Sequence, residues 1–375
     1  MTEPCSDVLV VGGGVLGLGH AIAAVRAGLR VTLCERHTAA RGASVRNFGM
    51  VWPIGQPPGV DQQTALRSRE LWTQIASDAG FRCAAVGSLH LAHADDEWRV
   101  LEEFAATSPM LDLELLTPEE VVQRQPCIVR HGLRGALFSP HEANVDPGVA
   151  IAAMHAWLRR QGADVRVGCP VVHVEPGMAR LADGSLVQAD RTVICAGDDF
   201  ASLLPEAFVD SGMLRCQLQM MALGPQPEGF VLGPMLAAGL TLSHYQGFAA
   251  CPSLPALRER LAREFEPLLA RGIHVMVSQG DDGRLIVGDS HDYEPPFAPG
   301  LDATTEQLIL DYLAQFFVAK NAQVSRRWTG TYAKCADGAS VFRASPLPSI
   351  EVITGVGGSG MTRSQALGEQ TIAAW

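Results

Sequence analysis

The sequence predicts an α/β protein in which a Rossmann-like dinucleotide-binding domain is joined to a second domain built on an antiparallel sheet. Three observations carry this prediction. The apolar run 8–11 leads into a glycine-rich turn, a helix-like segment and an acidic residue. From about 213 to 292 the side chains alternate as in antiparallel strands, and a second glycine-rich loop at 355–361 precedes the last helix. At 375 residues the chain exceeds the size that one core usually serves, so two packed domains are expected.

The first forty residues give the strongest signal. Gly12, Gly14 and Gly17 have the spacing of a loop that turns tightly out of a strand, approaches a pyrophosphate and packs the next helix on that strand. A small, apolar helical segment follows, and residues 29–34 form a second predicted strand ending at Glu35, where such units bind a ribose hydroxyl pair. Glycines, helix and acidic residue in one βαβ unit predict nucleotide binding. The alternative is a parallel α/β unit without a nucleotide.

Composition and charge narrow the class of protein. The net charge is −11 and no basic cluster exceeds a pair, which argues against nucleic acid or an anionic membrane as partner. Only two of the 29 basic residues are lysines, Lys320 and Lys334. Nine scattered cysteines without a C-x-x-C pair predict reduced thiols and a cytoplasmic location, with neither a zinc site nor a disulfide framework. The N-terminal segment is broken by glycines and carries Asp7, His20 and Arg26, so neither a signal peptide nor a transmembrane helix is expected.

The remaining elements follow in chain order. Residues 41–51 form a predicted loop beside the bound nucleotide. Helices are predicted over 60–80, 95–107, from a capping box at 117–120, over 146–160, near 255–270 and from about 360. Strands are predicted at 88–92, 135–139, twice within 163–175, in a hairpin over 178–187, at 191–197, from 213, at 274–278, at 285–288 and at 349–355. The expected nucleotide domain comprises 1–85, 135–212 and 325–375, and the expected substrate domain comprises 86–134 and 213–324.

With these elements in order, the chain resembles the FAD-dependent amine and amino-acid oxidoreductases typified by glycine oxidase, D-amino-acid oxidase and sarcosine oxidase. The resemblance covers nearly the whole length, and the order of its motifs is more specific than any one of them. The segments that carry it are 12–17 with Glu35-Arg36, 43–49, 135–147, 193–197, 283–288, 330–338 and 354–361. A subgroup associated with bacterial aminophosphonate catabolism is similar at 288–292 and at Asn47-Phe48-Gly49.

The resemblance implies non-covalently bound FAD, with the isoalloxazine between residues 44–50 and 355–362. A helix beginning near Gly360 would direct its N-terminus at the edge of the flavin that gains negative charge on reduction; a plain glycine-rich helix start is the alternative. The implied cofactor-binding residues are Gly12, Gly14, Val15, Leu16, Gly17, Glu35, Arg36, Ser44, Asn47, Phe48, Gly49, Met50, Val172, Cys195, Ala196, Gly197, Gly330, Gly355, Gly357, Gly358, Ser359, Gly360, Met361 and Thr362.

Four departures from the family pattern bear on substrate and acceptor. Tyr332 and Gly358 stand where glycine oxidase-like members carry arginines for the substrate carboxylate, so an ordinary α-amino acid loses its bidentate anchor. Gly330 stands where covalent members attach flavin through cysteine. Ile286 lies near the position of the oxygen-activating lysine of the sarcosine oxidase branch, so rapid reaction with oxygen is not assured.

Several side chains are candidates for binding substrate, each with a structural alternative. Arg46 would bind an anionic group or pair with a structural carboxylate. Tyr332 and Lys334 project to one side of an extended segment, towards the flavin pocket or, for Lys334, towards solvent. The remaining candidates, which would line the pocket or serve only local packing, are His244, Tyr245, His291 and Trp52.

The predicted function is oxidation of a small primary or secondary amine bearing an anionic group. Hydride transfer to flavin N5 would give an imine that hydrolyses to an aldehyde or keto product, and no catalytic base is required. The candidate substrate is an aminophosphonate or an N-alkylated aminophosphonate. The expected electron acceptor is oxygen or an electron carrier, and no metal ion is expected. Two alternatives stay open: a D-amino-acid or glycine-type dehydrogenase that passes electrons to a carrier, and a non-catalytic FAD-binding subunit of an amine dehydrogenase complex. The oligomeric state is open, a homo-oligomer included.

Overall fold

The computed structural model describes residues 6–293, 295–297 and 300–375, so Cys5 lies outside the described residues. The strands are β1 Ser6–Val11, β2 Val31–Glu35, β3 Met50–Val51, β4 Cys83–Ala84, β5 Ser88–Ala92, β6 Glu114–Leu116, β7 Gly135–Ser139, β8 Ala143–Val145, β9 Asp164–Val167, β10 Val171–Glu175, β11 Met178–Leu181, β12 Leu186–Ile194, β13 Met213–Pro225, β14 Met235–Ala237, β15 Met276–Gln279, β16 Arg284–Gly288, β17 Val324–Cys335, β18 Phe342–Leu347 and β19 Ile350–Thr354. The helices are α1 Val15–Arg26, α2 Val60–Ala79, α3 Asp95–Thr107, α4 Pro118–Arg124, α5 Pro147–Arg160, α6 Gly239–His244, α7 Leu254–Glu264, α8 Glu266–Leu269, α9 Ala303–Phe316 and α10 Gly360–Ala373.

The first sheet is the expected nucleotide-binding sheet. β1 pairs in parallel with β12 on one side and β2 on the other, while β9 and β19 extend the parallel part at its two sides. The β10–β11 hairpin and β18 add antiparallel strands. Because parallel strands end at one edge, the glycine loop after β1, Glu35 in β2 and residues 195–197 after β12 are brought together there.

The second sheet has the order β17-β13-β16-β15-β14-β5-β7-β6, and every neighbouring pair is antiparallel except β14 with β5. The structure differs here from the expected domain bounds. β7 hydrogen-bonds between β5 and β6, and β17 pairs with β13, although 135–212 and 325–375 were expected in the nucleotide domain. The sequence of a strand does not show which strand it pairs with. The sequence alone therefore assigns β7 and β17 to the domain of their neighbours along the chain.

Each sheet has its own apolar core. One core packs under the second sheet and includes Phe104, Phe248 and Phe316, all fully buried, and another packs around β1, α1 and α5. A third, small sheet of β3, β8 and β4 is formed by the segments that connect the two large sheets, since β3 and β4 fall between β2 and β5 and β8 falls between β7 and β9. Within the described ranges, no helix is both long and apolar enough to cross a membrane.

The closest helix contact in the nucleotide domain is between α1 and α10. A Cβ on Gly368 would lie 2.3 Å from the backbone of Gly19, and a Cβ on Gly19 would lie 2.3 Å from the Ser364 carbonyl oxygen. We therefore expect Gly368→Ala to lower the free energy of unfolding by about 2 kcal/mol, because overpacking against backbone costs more than the roughly 1 kcal/mol that alanine gains in helix propensity. Thermal unfolding measures this. Gly148→Ala is the control, since its Cβ would meet only Asp146 Oδ1 at 3.5 Å; a Gly368→Ala protein that melts no lower than that control would contradict the prediction.

Candidate active site

A cavity of about 1130 Å³ runs from the carboxyl edge of the first sheet to the face of the second. Sites for small ligands usually occupy about 300–1,000 Å³, so this one has room for a large cofactor together with a small molecule. One end is lined by the glycine loop, Glu35 and residues 195–197. The other end is lined by side chains from β17, the end of α6 and the segment after β16.

The glycine loop is shaped by backbone contacts. Gly12 has φ +105°, and a Cβ there would lie 2.3 Å from the carbonyl oxygen of Cys195. A Cβ on Gly17 would lie 1.9 Å from the Gly12 carbonyl oxygen, which explains the close packing of α1 on β1. Gly14 precedes α1 without a side-chain cap, and the Val15 amide donates to Ser44 Oγ at 2.9 Å. The positive end of the α1 dipole therefore faces the cavity, as at other anion-binding helix N-termini.

Glu35 is fixed by two amides at the end of β2. Gly13 N donates to its Oε2 at 2.7 Å and His37 N donates to its Oε1 at 2.9 Å. The carboxylate is 8% exposed and lines the cavity, with lone pairs left for hydroxyl donors. The neighbouring Arg36 pairs with Asp199 at 2.7 Å, so its charge is already neutralised.

A further part of the cavity wall is built by residues 355–361, before and within the first turn of α10. A Cβ on Gly357 or Gly358 would meet nothing closer than 3.8 Å, so these glycines leave the cavity open. Gly355 has a different reason, because its Cβ would lie 2.8 Å from Met213 Cε and 3.0 Å from Cys335 Sγ. The small size of Gly355 therefore serves packing, although this residue also lines the cavity.

Most of the predicted cofactor residues line the cavity, but Gly17, Gly49, Met50 and Thr362 lie behind its wall. The wall residues are Gly12, Gly14, Val15, Leu16, Glu35, Arg36, Ser44, Asn47, Phe48, Val172, Cys195, Ala196, Gly197, Gly330, Gly355, Gly357, Gly358, Ser359, Gly360 and Met361.

Each residue behind the wall has a local structural role. A Cβ on Gly49 would lie 1.9 Å from the Val145 carbonyl oxygen, and Met50 pairs with Asn144 in the small sheet. Thr362 Oγ1 accepts the amide hydrogen of Trp52 at 3.0 Å. Trp52 is also behind the wall, because it is 2% exposed and packs against His90 and Tyr245.

Two cations face the other end of the cavity. Arg46 Nη1 donates to the Thr329 carbonyl oxygen at 2.7 Å, and Lys334 Nζ lies 3.4 Å from the Tyr293 hydroxyl. Neither forms an ion pair with a carboxylate anywhere in the described ranges. Tyr332 lies on β17 on the same side as Lys334, and both line the cavity. Arg46 thus donates to a backbone carbonyl oxygen and not to the structural carboxylate that was the expected alternative. Lys334 lines the cavity and is only partly buried.

Three histidines meet at this end. His244 and His274 have ring centroids 3.8 Å apart, and the centroid of His291 is 4.8 Å from the first and 5.2 Å from the second. Asp289 lies beside them, with Oδ1 3.3 Å from His274 Nε2 and Oδ2 3.7 Å from His291 Nε2. Tyr245 packs edge-on against His244 and lines the cavity as well.

Burial shifts the pKa values of several side chains at this end of the cavity. It lowers the pKa of His244 and of His274 well below the ordinary imidazole value and raises the pKa of Asp289 to about 6. Burial also holds the pKa of Tyr332 well above the ordinary phenol value and raises the pKa of Cys216 to about 11. Tyr332 is therefore a neutral phenol, able to donate its hydroxyl hydrogen to an anion.

Comparison with known proteins shows which family the chain belongs to. Residues 7–374 match the family described as FAD dependent oxidoreductase. The chain belongs to the FAD dependent oxidoreductase family. It is similar to a subunit of the opine oxidase from Agrobacterium tumefaciens, with 23% identity over 90% of this chain and 84% of the relative.

Solved structures confirm the fold. Those of L-proline dehydrogenase from P. horikoshii and glycine oxidase from Geobacillus kaustophilus superpose with a TM-score of 0.78 each, at 19% and 18% identity. They cover 98% and 99% of this chain and 92% and 94% of their own chains, respectively.

The cavity of this oxidoreductase fits FAD. The helix N-terminus after Gly14 suits the pyrophosphate, the fixed Glu35 carboxylate suits ribose hydroxyls, and the open backbone at Gly357 and Gly358 leaves space for a planar ring. The structure supports the predicted cofactor through this donor set. Which residue contacts which part of FAD stays a prediction.

Sequence reasoning missed three residues at the end of the cavity that Tyr332 and Lys334 line, namely His274, Asp289 and Tyr293. His274 stands in the alternating pattern before β15 and Asp289 lies within the motif 288–292, so a signal was present for these two, whereas Tyr293 lies just beyond that motif. Their convergence with His244 depends on the pairing of β15 with β16 and on the position of α6. That pairing brings Met276 opposite Gly288 and is not visible in any one segment.

Proposed function

We propose that this oxidoreductase oxidises a small primary or secondary amine bearing an anionic group, and that a phosphonate is that group. The observation that carries the proposal is Lys334, a cation without a carboxylate partner in the described part of the chain, beside two phenols in the cavity. A lysine ammonium is a compact point charge that suits the several oxygens of a phosphonate, whereas carboxylate recognition favours the arginine fork. Arg46 adds positive potential at the same end, held by the Thr329 carbonyl oxygen.

An amine as electron donor is supported by what the similar proteins are called. The names of the glycine oxidase and the L-proline dehydrogenase specify substrates with a carbon–nitrogen bond next to a carboxylate. Tyr332 and Gly358 leave this chain without arginines at the two positions expected for that carboxylate. A different anionic group on a similar amine accounts for both facts.

Bound FAD supplies the acceptor for two electrons from the carbon–nitrogen bond. The chain itself binds and orients the amine: Lys334 and the Tyr332 hydroxyl would hold the anion, and the apolar wall at Leu218 and Met220 would exclude water from the reacting carbon. The oxidised product is an imine, which water hydrolyses to a carbonyl compound and a freed amine.

The test is anaerobic bleaching of the FAD-loaded protein by a panel of small amines, amino acids and aminophosphonates. We expect an aminophosphonate to bleach the flavin at lower concentration than the matching amino acid. A panel in which no amine bleaches the flavin would refute the proposal.

Two variants test the anion site. Tyr332→Phe and Lys334→Met should each raise the concentration of aminophosphonate for half-reduction by about tenfold or more, since a hydrogen bond to a charged group contributes about 1.5–3 kcal/mol. Lys320→Met is a matched control, because Lys320 is exposed and is the chain's other lysine. Half-reduction at the wild-type concentration in both cavity variants, with FAD still bound, would remove them from the site.

A second candidate function is that of one component in a larger oxidase, supported by the name of the similar opine oxidase protein, which is itself called a subunit. It predicts that the isolated chain binds FAD but is not bleached by any amine until a partner is added.

A dehydrogenase that passes electrons to a carrier is distinguished from an oxidase by its acceptor. Such an enzyme would turn over with an artificial dye while releasing little peroxide.

A further inference from the structure

The three cavity histidines come from separate parts of the second domain. His244 is the last residue of α6, His274 precedes β15 and His291 follows β16. One side-chain nitrogen from each lies within 4.8 Å of the other two. His274 and His291 are buried, His244 is partly buried, and all three line the cavity.

Their hydrogen bonds leave ring nitrogens free. His291 Nδ1 lies 2.8 Å from the Gly272 carbonyl oxygen, which can only accept, so Nδ1 carries the hydrogen and Nε2 keeps its lone pair. That arrangement is the usual support of a metal-binding histidine. Within the described ranges, His274 Nδ1 has no hydrogen-bond partner, and neither ring nitrogen of His244 has one.

We propose that His244, His274 and His291 bind one divalent d-block metal ion, with the Asp289 carboxylate beside them as the group that orients the rings. Imidazole nitrogens suit Zn²⁺ and its neighbours, whereas Mg²⁺ and Ca²⁺ take oxygen ligands. At Zn–N distances of about 2.0–2.1 Å, two ligands of a tetrahedral ion lie about 3.4 Å apart. The rings must therefore draw together by about 1.4 Å at most, and His244 breaks no hydrogen bond in doing so.

An anion is the competing ligand for such a cluster. Three imidazoles whose centroids are 3.8–5.2 Å apart repel one another strongly once protonated. Asp289 adds a carboxylate 3.3 Å from His274 Nε2 and 3.7 Å from His291 Nε2, which attracts a cation and opposes an anion. A metal ion accepts the neutral rings and the carboxylate together, so the geometry favours the cation.

The metal would lie next to the proposed anion site. The ring centroids of Tyr332 and Tyr293 are each 6.3 Å from that of His291. Three protein nitrogens leave a tetrahedral ion open towards the cavity, where a phosphonate oxygen can bind. This last role rests on the proposed function, whereas the metal site itself does not.

The test measures Zn²⁺ binding to FAD-loaded protein without a polyhistidine tag. After removal of metal by chelator, the protein is dialysed against limiting Zn²⁺ and the bound metal is measured by atomic emission. We expect one Zn²⁺ per chain, with affinity at least about tenfold weaker in His244→Phe and in His274→Phe. His131→Phe is the matched control, because His131 is exposed and far along the chain from the cluster.

FAD content and melting temperature show which variants are folded. If only one of His244→Phe and His274→Phe is folded, that variant alone suffices for the comparison of Zn²⁺ affinity with wild type. Equal Zn²⁺ binding by wild type and a folded cluster variant, or no stoichiometric binding by wild type, would overturn the site. Anaerobic bleaching by amines is recorded separately on the chelator-treated protein. The same measurement is made on the Zn²⁺-loaded protein. Bleaching without Zn²⁺ binding would reject the metal site alone, and Zn²⁺ binding with no bleaching in either form would reject the amine oxidation alone.

Discussion

Gly12→Ala is expected to yield a protein that is colourless or loses its FAD on dilution. Gly12 has φ +105°, a conformation that costs a residue with a Cβ about 1–3 kcal/mol. The new Cβ would also lie 2.3 Å from the Cys195 carbonyl oxygen, and that oxygen belongs to backbone that cannot rotate away. Overpacking of this kind costs about 1–3 kcal/mol more, so FAD affinity should fall about a hundredfold or more.

A second glycine separates loss of fold from loss of cofactor. Gly358 lies in another part of the cavity wall, where a Cβ would meet only the Tyr332 hydroxyl oxygen at 3.9 Å. Gly358→Ala should weaken FAD binding and leave the melting temperature of the FAD-free protein unchanged. Gly12→Ala should lower both the affinity for FAD and the melting temperature of the FAD-free protein. Fluorescence titration with FAD and thermal unfolding of the FAD-free proteins measure the two quantities. A Gly12→Ala protein with wild-type FAD affinity would show that the loop is not built as described.

The nucleotide half of the site was predictable because its information is local. Gly12, Gly14, Gly17 and Glu35 stand within one βαβ unit, and parallel pairing of β1 with β2 places them at one edge. The family match over 7–374 confirms FAD as the cofactor. The capping box at Thr117 and the proline start of α4 are equally local, and both are present in the structure.

The end of the cavity that the three histidines line depends on pairings between distant segments. The sequence predicts His244 and His291 as separate candidates, but only the arrangement of β15, β16 and α6 brings their rings together with that of His274. The same limit explains why β7 and β17 were assigned to the nucleotide domain but hydrogen-bond in the second sheet. Gly355 shows a further limit, because a glycine kept small by Met213 and Cys335 looks in sequence like one kept small for a ligand.

The second large expected effect concerns Glu142, whose ionisation should make the free energy of unfolding depend on pH. Its side chain is fully buried, Oε1 accepts from Ile54 N at 3.0 Å, and Oε2 accepts from Ser88 Oγ at 3.0 Å. Burial nevertheless raises the pKa of this carboxyl from 4.5 to about 7, outweighing the hydrogen bonds that lower it. Between these two values the folded chain holds a proton that the unfolded chain has released.

The sign of the effect follows from that proton. Below pH 4.5 both states are protonated and the stabilisation is fully present; it is lost as pH rises from 4.5 through about 7, because over this range the unfolded chain has released the proton and the folded chain still holds it. At about 1.4 kcal/mol for each pH unit, the loss is on the order of 3 kcal/mol between pH 4.5 and 8. Glu142→Gln keeps one acceptor and one donor in place of the protonated carboxyl, so it should remove this part of the pH dependence.

Thermal unfolding of FAD-loaded protein at pH 5, 6, 7 and 8 tests the prediction. Other groups titrate in both proteins, so the informative quantity is the difference between wild type and Glu142→Gln, which should grow in favour of the variant as pH rises. Glu259→Gln is the control, because Glu259 is exposed and its removal should shift the curve without changing its slope. Parallel curves for wild type and Glu142→Gln would mean that Glu142 is ionised in the folded protein throughout this range, and that Ile54 N and Ser88 Oγ stabilise the charge against burial.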